Sequence, residues 1–224
     1  MSQSAVSLCV AIFLFPLASS GEYKLEMLKE ALPSEVAAPL RDSVHVEGLR
    51  VVDPKGKPLV DLWLRKEVPP APPREPELGL KFGALTEGSF LAVARYHQKH
   101  YDFKNKPIPP GLYTLRHGVQ PRDGDHLGVS DTRDFALLCP AGADKALAPL
   151  PTEESVKLSC QVSGAKHPSV VWLKPLIGER KDLPALVSEK DHEYQVLEFQ
   201  IPIQGEKQKA VRMGLVVVGS APEV

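Results

Sequence analysis

Proline is the residue that most restricts how this chain can fold. The sequence contains 22 prolines, and Pro69, Pro70, Pro72, Pro73 and Pro76 follow one another closely. Because proline has no amide proton to donate, this segment cannot pair inside a sheet. We predict that residues 68–76 form a stiff, extended surface spacer between strands. A proline-rich ligand for a partner domain is the alternative interpretation.

Along most of the remaining chain, apolar residues recur with the spacing of short β-strands. The clearest case is a hairpin in which two strands flank Asp53-Pro54-Lys55-Gly56, a typical turn sequence. A spacing near 3.6 predicts one short helix over residues 23–31. Strands are predicted over residues 44–51, 59–64, 80–82, 90–96, 112–116, 135–139, 156–162, 170–173, 194–203 and 211–218.

Together these elements predict a mainly β chain. The expected fold is an antiparallel β-sandwich with one short N-terminal helix and long proline-rich loops. We assign residues 21–224 to a single domain of this kind. The segment 142–151, a loop or a small helix, is the candidate boundary if there are two domains.

The N-terminus has the features of a signal peptide. The first charged residue is Glu22, and residues 5–18 are apolar apart from Ser7 and Pro16. As a helix this run would extend about 21 Å, which is less than the roughly 30 Å of a bilayer core. We predict that residues 1–20 direct export to the periplasm or the medium, with cleavage after Ser20 or Gly21. A buried N-terminal helix or an uncleaved anchor is the alternative, because no Lys or Arg precedes the run.

Charge composition limits the classes of partner. The chain has 27 basic and 28 acidic residues, whereas nucleic acids and anionic membranes select surfaces with a clear basic excess. After cleavage, no second apolar stretch is long enough for stable membrane insertion. The partner stays unknown from the sequence, and this composition is compatible with a protein or a small-molecule ligand.

Two cysteines, Cys139 and Cys160, remain in the exported chain. One interpretation is a disulfide that closes a loop of about twenty residues and stabilises the fold by roughly 2–4 kcal/mol. The other is a pair of buried thiols near the ends of neighbouring strands. The sequence does not give the distance that decides between them.

Residues 97–134 are the richest in groups that could bind a ligand. Four histidines, His97, His100, His117 and His126, predict a zinc or copper site if three of them converge with a carboxylate. On a strand, however, His97 and His100 would face opposite sides. Solvated histidines on loops are therefore the simpler interpretation.

The loop QPRDGDHLGVSDTRD, residues 120–134, also allows a purely structural interpretation. Its acids Asp123, Asp131 and Asp134 could pair with Arg122, Arg133 and Arg116 and hold the loop in one shape. The chain has no Gly-x-Ser-x-Gly nucleophile motif. We therefore predict a non-catalytic binding or structural module. The alternative is a metal-dependent or hydrolytic secreted enzyme centred on residues 97–126.

Three stretches, residues 48–69, 108–141 and 163–173, carry a resemblance. With their Pro-Gly-x-Tyr-Thr-Leu-Arg strand and an Asp-Gly-x-His loop ending in Arg-Asp-Phe, they resemble uncharacterised exported bacterial proteins of acidobacterial and planctomycete type. The resemblance covers most of the mature chain and implies a secreted sandwich domain without a known activity. The candidate binding residues on its motif positions are Arg116, Asp123, His126, Arg133, Asp134 and His167.

Overall fold

The computed structural model describes residues 21–122, 130–176, 178 and 180–221. The predicted residues Asp123 and His126 lie outside this part of the chain, as does the predicted signal peptide. The strands are β1 (Lys24–Leu28), β2 (Gly48–Val52), β3 (Pro58–Leu64), β4 (Phe90–Tyr96), β5 (His100–Tyr101), β6 (Pro107–Ile108), β7 (Gly111–Val119), β8 (Asp134–Pro140), β9 (Val170–Lys174), β10 (Ala185–Glu189), β11 (Tyr194–Pro202) and β12 (Ala210–Val218), and the helices are α1 (Ala38–Ser43) and α2 (Thr152–Ser163).

Ten of the strands form one antiparallel sheet in the order β1-β2-β3-β4-β7-β8-β9-β12-β11-β10, and β5 and β6 form a separate pair. The predicted hairpin is confirmed as β2 and β3. Its turn is fixed because Oδ1 of Asp53 accepts the amide protons of Lys55 at 2.9 Å and Lys57 at 2.8 Å. The mainly β prediction is therefore confirmed.

The sheet curls until it nearly closes into a barrel, and it does not show the two facing sheets predicted for a sandwich. Its edge strands β1 and β10 approach each other to within 8 Å between Cα atoms. β9 makes the curl continuous, since its first half pairs with β8 and its last two residues pair with β12. Alternate residues of the curled strands, such as Leu62, Leu138 and Leu197, form one buried interior core.

Two smaller apolar clusters lie on the outside of the barrel. Trp63 and Phe90 pack against Leu40 of α1 on one side. On the other side, Phe103 packs against Trp172 and Tyr194 at ring-centroid distances of 5.2 and 5.9 Å. These clusters cover outward faces of the sheet that would otherwise be exposed apolar surface.

Two predicted elements form the other kind of secondary structure. The segment predicted as a helix over residues 23–31 contains the edge strand β1, which pairs with β2 and turns Leu25 toward the interior. The predicted strand over 156–162 is the helix α2, which ends at Gly164 in the left-handed conformation. The buried residues of α2 are Ser155, Ser159 and Val162. Two of these three are serines, so a pattern of apolar residues alone does not indicate the helix.

Other elements were predicted and are missing from the described structure, or are present and were not predicted. Residues 80–82 form no strand, because the amide of Lys81 donates to the Asp134 carboxylate and not to a neighbouring strand. The helix α1 and the strands β5, β6 and β10 were not predicted. The predicted spacer over residues 68–76 carries neither helix nor strand and is mostly exposed, but Val68 at its start is buried and forms a parallel bridge with Ile203. In the part of the chain that the structure describes, neither helix has the length and apolar character needed to cross a membrane.

Candidate functional site

The structure does not bring three of the predicted metal ligands together. Nε2 of His97 lies 2.7 Å from Asp61 on β3, and Nε2 of His100 lies 2.8 Å from the carbonyl oxygen of Val217. Burial lowers the pKa of His100, against the opposing effect of that hydrogen bond. His117 lies inside the barrel. Within the described residues, no group of three His, Cys, Asp or Glu side chains could hold a metal ion.

His97 belongs to a network on the outer face of β2, β3 and β4. The carboxylate of Asp61 is fully buried and accepts hydrogen bonds from Arg50 at 2.7 Å and Arg95 at 2.6 Å. Glu30 joins the same two arginines from the solvent side, at 3.1 and 2.7 Å. This network joins three neighbouring strands through side chains.

His117 and Asp134 form a buried pair where β7 and β8 meet. Nε2 of His117 lies 2.9 Å from Oδ1 of Asp134, and both side chains are fully buried. Oδ2 of Asp134 accepts the amide proton of Lys81 at 2.7 Å. Asp134 therefore attaches the segment around Lys81 to the barrel. Nδ1 of His117 has no hydrogen-bond partner among the described residues.

Arg116, a candidate binding residue, is fully buried and fully engaged. Its Nε and Nη2 atoms donate to the two carboxylate oxygens of Asp144, each at 2.7 Å. Its Nη1 donates to the carbonyl of Gly88, and further bonds go to the carbonyls of Ala146 and Ala148. Arg116 thus holds the segment after β8 against the barrel and has no donor left for a ligand.

Arg133 also has a structural position. Its Nε donates to the carbonyl of Gln120 at 2.8 Å, and its Nη1 pairs with Glu77. In the described part of the loop the predicted network is therefore wrong in its partners: Arg116 pairs with Asp144 and Arg133 with Glu77, and Asp134 pairs with His117.

Of the two interpretations of the cysteines, the structure does not show the disulfide: Cys139 and Cys160 are free thiols. Cys139 is buried on β8, and its Sγ lies 3.7 Å from the carbonyl of Ser155 in the first half of α2. Cys160 lies on the last turn of α2, with its Sγ 3.5 Å from the carbonyl of Lys166. Burial raises the pKa of the Cys139 thiol to about 12, so this thiol is uncharged at neutral pH.

An apolar pocket with a volume of about 90 Å³ lies beside the start of the 120–134 loop. Phe135, Leu137 and Val170 line it from the outward faces of β8 and β9, and all three are buried. Val156 lines it from α2. The pocket therefore lies between the sheet and the helix.

Gly118 keeps part of this pocket open. A Cβ atom at this position on β7 would lie 2.9 Å from Cγ of Leu137, closer than real side-chain contacts. Because glycine has no side chain, the Leu137 side chain does not have to shift, and the space beside Gly118 remains available.

Three polar residues, Lys104, Gln120 and His167, also line the pocket. His167 is exposed and Lys104 is half-buried, which places them where the pocket meets solvent. In the described part of the chain, neither the Lys104 ammonium nor the His167 imidazole has a hydrogen-bond or ion-pair partner. We call Lys104 and His167 the rim of the pocket, and Phe135, Leu137 and Val170 its floor. The rim thus places two hydrogen-bond donors, which have no partner among the described residues, above an apolar floor.

The main chain of both rim residues is fixed. Oδ1 of Asp102 accepts the amide proton of Lys104 at 2.9 Å, and its Oδ2 accepts that of Val170 at 3.3 Å. The Ser163 hydroxyl donates to the carbonyl of His167 at 2.6 Å. Asp102 thus positions the rim residue Lys104 and the floor residue Val170, while neither rim side chain has a partner among the residues that the structure describes.

A second opening, a cleft of about 320 Å³, lies where the barrel fails to close. Met27, Leu49 and Phe199 line it from both sides of the gap between β1 and β10. A strand inserted into this gap would need about 9.6 Å, twice the spacing of neighbouring strands. Since the edges approach within 8 Å, the gap does not admit a strand at that point. The small apolar pocket has more of the features of a ligand site, because Lys104 and His167 at its rim have no side-chain partner in the described ranges.

Of the sequence-predicted residues, His167 lies at this pocket and the loop 120–134 begins there. Sequence reasoning missed Asp61, Asp144 and the pocket residues Lys104 and Val156. Asp61 had a readable signal, because it is a lone acid within the apolar strand LVDLWL. Asp144, Lys104 and Val156 have no distinguishing sequence pattern, and only the fold shows which residues surround them.

Comparison with known proteins gives no match: no family model, no curated protein sequence and no solved structure is similar to this chain.

Proposed function

We propose that this chain is an exported, non-catalytic binding protein that holds a small ligand in the pocket between β8, β9 and α2. The observation that carries the proposal is a preformed apolar space of about 90 Å³ whose rim side chains, Lys104 and His167, are unpaired within the described residues. Sites of this kind, an apolar floor with a few polar groups that fix orientation, are typical of small-molecule binding.

The pocket sets the size of the group it can hold. An engineered apolar cavity of about 150 Å³ binds benzene, with six carbons. By proportion, a pocket of about 90 Å³ holds roughly four carbons. A butyl chain is therefore a suitable probe of the site.

The binding test uses purified protein made from the full-length chain and pentan-1-ol as a neutral probe with a butyl tail. We expect amide NMR shifts concentrated at Gly118, Val119 and Val170, which line the pocket. Val156→Phe should abolish them, because the larger ring fills the space beside the floor. The matched control is Val46→Phe, at an exposed valine outside the pocket. Shifts that persist in Val156→Phe would contradict binding at this site.

Export is supported by the uncharged apolar run over residues 5–18 and by the resemblance to exported bacterial proteins. When the full chain with a C-terminal tag is expressed in a bacterial host, we expect the periplasmic fraction to contain a protein beginning at Gly21 or Glu22. Intact mass and N-terminal peptide mapping measure this directly. A matched variant, Leu14→Arg, should block processing, because a charge interrupts the apolar run. An unprocessed wild-type chain in the cytoplasm would contradict export.

A further inference from the structure

We infer that the ligand of the pocket is a short aliphatic carboxylate, with its chain against the apolar floor and its carboxylate between Lys104 and His167. This inference rests on the proposed function and adds the chemical class of the ligand. It follows from what the two rim side chains offer and from what the rim lacks.

The rim supplies hydrogen-bond donors and positive charge. A lysine ammonium has three donors and no acceptor, and an imidazole has at least one N–H donor in either protonation state. Lys104 and His167 have no other side-chain partner in the described part of the chain, so a ligand displaces no partner among those residues. No acidic residue lines the pocket among the described residues. A group that accepts hydrogen bonds and carries negative charge is complementary to this rim.

The floor selects the other end of the ligand. Phe135, Leu137 and Val170 offer only apolar side-chain surface, and the volume holds about four carbons. Each methylene moved from water to such a surface improves affinity about fourfold. Chains longer than the pocket gain less, because their additional carbons stay in solvent. A four- or five-carbon monocarboxylate satisfies both ends of the site.

The experiment compares three probes with the same butyl tail and different heads: pentanoate, pentan-1-ol and pentylammonium. Titration of the full-chain protein, followed by NMR, gives their dissociation constants. We expect pentanoate to bind about tenfold more tightly than pentan-1-ol, the sum of two partly exposed polar contacts. Pentylammonium should bind more weakly than either, because its charge is repelled by Lys104. The pentanoate preference should decrease at high salt.

Matched variants assign the preference to the two rim residues. Lys104→Gln should weaken pentanoate about threefold and leave pentan-1-ol unchanged, while Lys106→Gln, on the same turn but outside the pocket, should change neither. His167→Gln should act like Lys104→Gln. Its control is His45→Gln, at an exposed histidine that lines the second cleft, beside the gap between β1 and β10.

The outcomes separate the inference from the proposed function. If pentan-1-ol or pentylammonium binds as tightly as pentanoate, the carboxylate inference is overturned and the pocket remains a binding site. If pentanoate is preferred but Lys104→Gln and His167→Gln leave that preference intact, the inference is also overturned, because the head group lies elsewhere. If none of the three probes gives shifts that Val156→Phe removes, the proposed function itself fails.

Discussion

Replacing Asp144 by alanine is expected to lower the free energy of unfolding by about 3–5 kcal/mol, the cost of breaking a buried ion pair from one side. Asp144 and Arg116 are both fully buried, and two hydrogen bonds of 2.7 Å join them. Thr114 donates a third bond to the same carboxylate at 2.5 Å. Without Asp144, the guanidinium keeps bonds to carbonyl oxygens but has no counter-charge in a site that water does not reach.

Chemical denaturation measured by circular dichroism tests this expectation. For a chain of this size, a loss of that magnitude lowers the melting temperature by roughly 10 °C. The matched control is Glu206→Ala, which removes an exposed ion pair with Lys209 and should cost about 0–1 kcal/mol. If Asp144→Ala is as mild as Glu206→Ala, Arg116 is compensated by its carbonyl partners alone, and the pair is not what holds the segment after β8.

The central strands could be predicted from sequence because the spacing of their apolar residues matches the side chains that the barrel buries. The hairpin of β2 and β3 follows from apolar strands on either side of Asp53-Pro54-Lys55-Gly56. β4, β11 and β12 contain many residues whose side chains are buried in the barrel. In such strands, the apolar residues that indicate a strand in the sequence are also the residues that pack in the core.

The errors occur where tertiary environment overrides the local pattern. β1 is an edge strand, and Met27 on it is 58% exposed, so its apolar residues do not alternate clearly. α2 buries Ser155 and Ser159 against the sheet, where the Ser159 hydroxyl donates to the carbonyl of Ser169 at 2.9 Å. A search for apolar residues does not find a helix whose buried face contains serines. The closing of the sheet depends on curvature, which no single segment encodes.

The candidate site shows a related limit. The sequence identifies polar groups such as Arg116 and Asp134, but not whether the fold supplies their partners. Arg116 finds Asp144, 28 residues away, and Asp134 finds His117 and the amide of Lys81. Both residues therefore serve the structure. The pocket, in contrast, depends on the missing side chain of Gly118 and on an α2 valine, neither of which has a polar signal.

Asp61→Ala is the second substitution with a large expected effect. The carboxylate is fully buried, and its partners Arg50, Arg95 and His97 keep only about a fifth to a quarter of their side-chain surface exposed, at 20, 26 and 28%. Removing it leaves three adjacent donors without their common acceptor. Because water can still reach those donors in part, we expect a loss of about 3 kcal/mol at neutral pH, near the lower end for a buried pair. The control is Asp42→Ala, at an exposed acid, which should change stability little.

The pH dependence provides a second readout for Asp61. Burial alone would raise the pKa of its carboxyl, but the hydrogen bonds from Arg50, Arg95 and His97 outweigh burial and hold the pKa below its ordinary value. A carboxyl whose folded-state pKa is lowered stabilises the fold above its unfolded-state pKa, about 3.9. That stabilisation is lost as pH falls through the lower, folded-state pKa.

The stability difference between wild type and Asp61→Asn should therefore be constant from pH 7 to about pH 5 and should shrink as pH falls below about 4. Asp102→Asn provides the opposite case, because burial raises the pKa of Asp102 despite its bonds to backbone amides. Its carboxyl favours the fold most at low pH, and that contribution is lost as pH rises through the raised pKa. Urea denaturation at several pH values measures both differences. Parallel pH profiles for the two variants would contradict this expectation, because they would show that the hydrogen bonds from Arg50, Arg95 and His97 do not hold the pKa of Asp61 below its ordinary value.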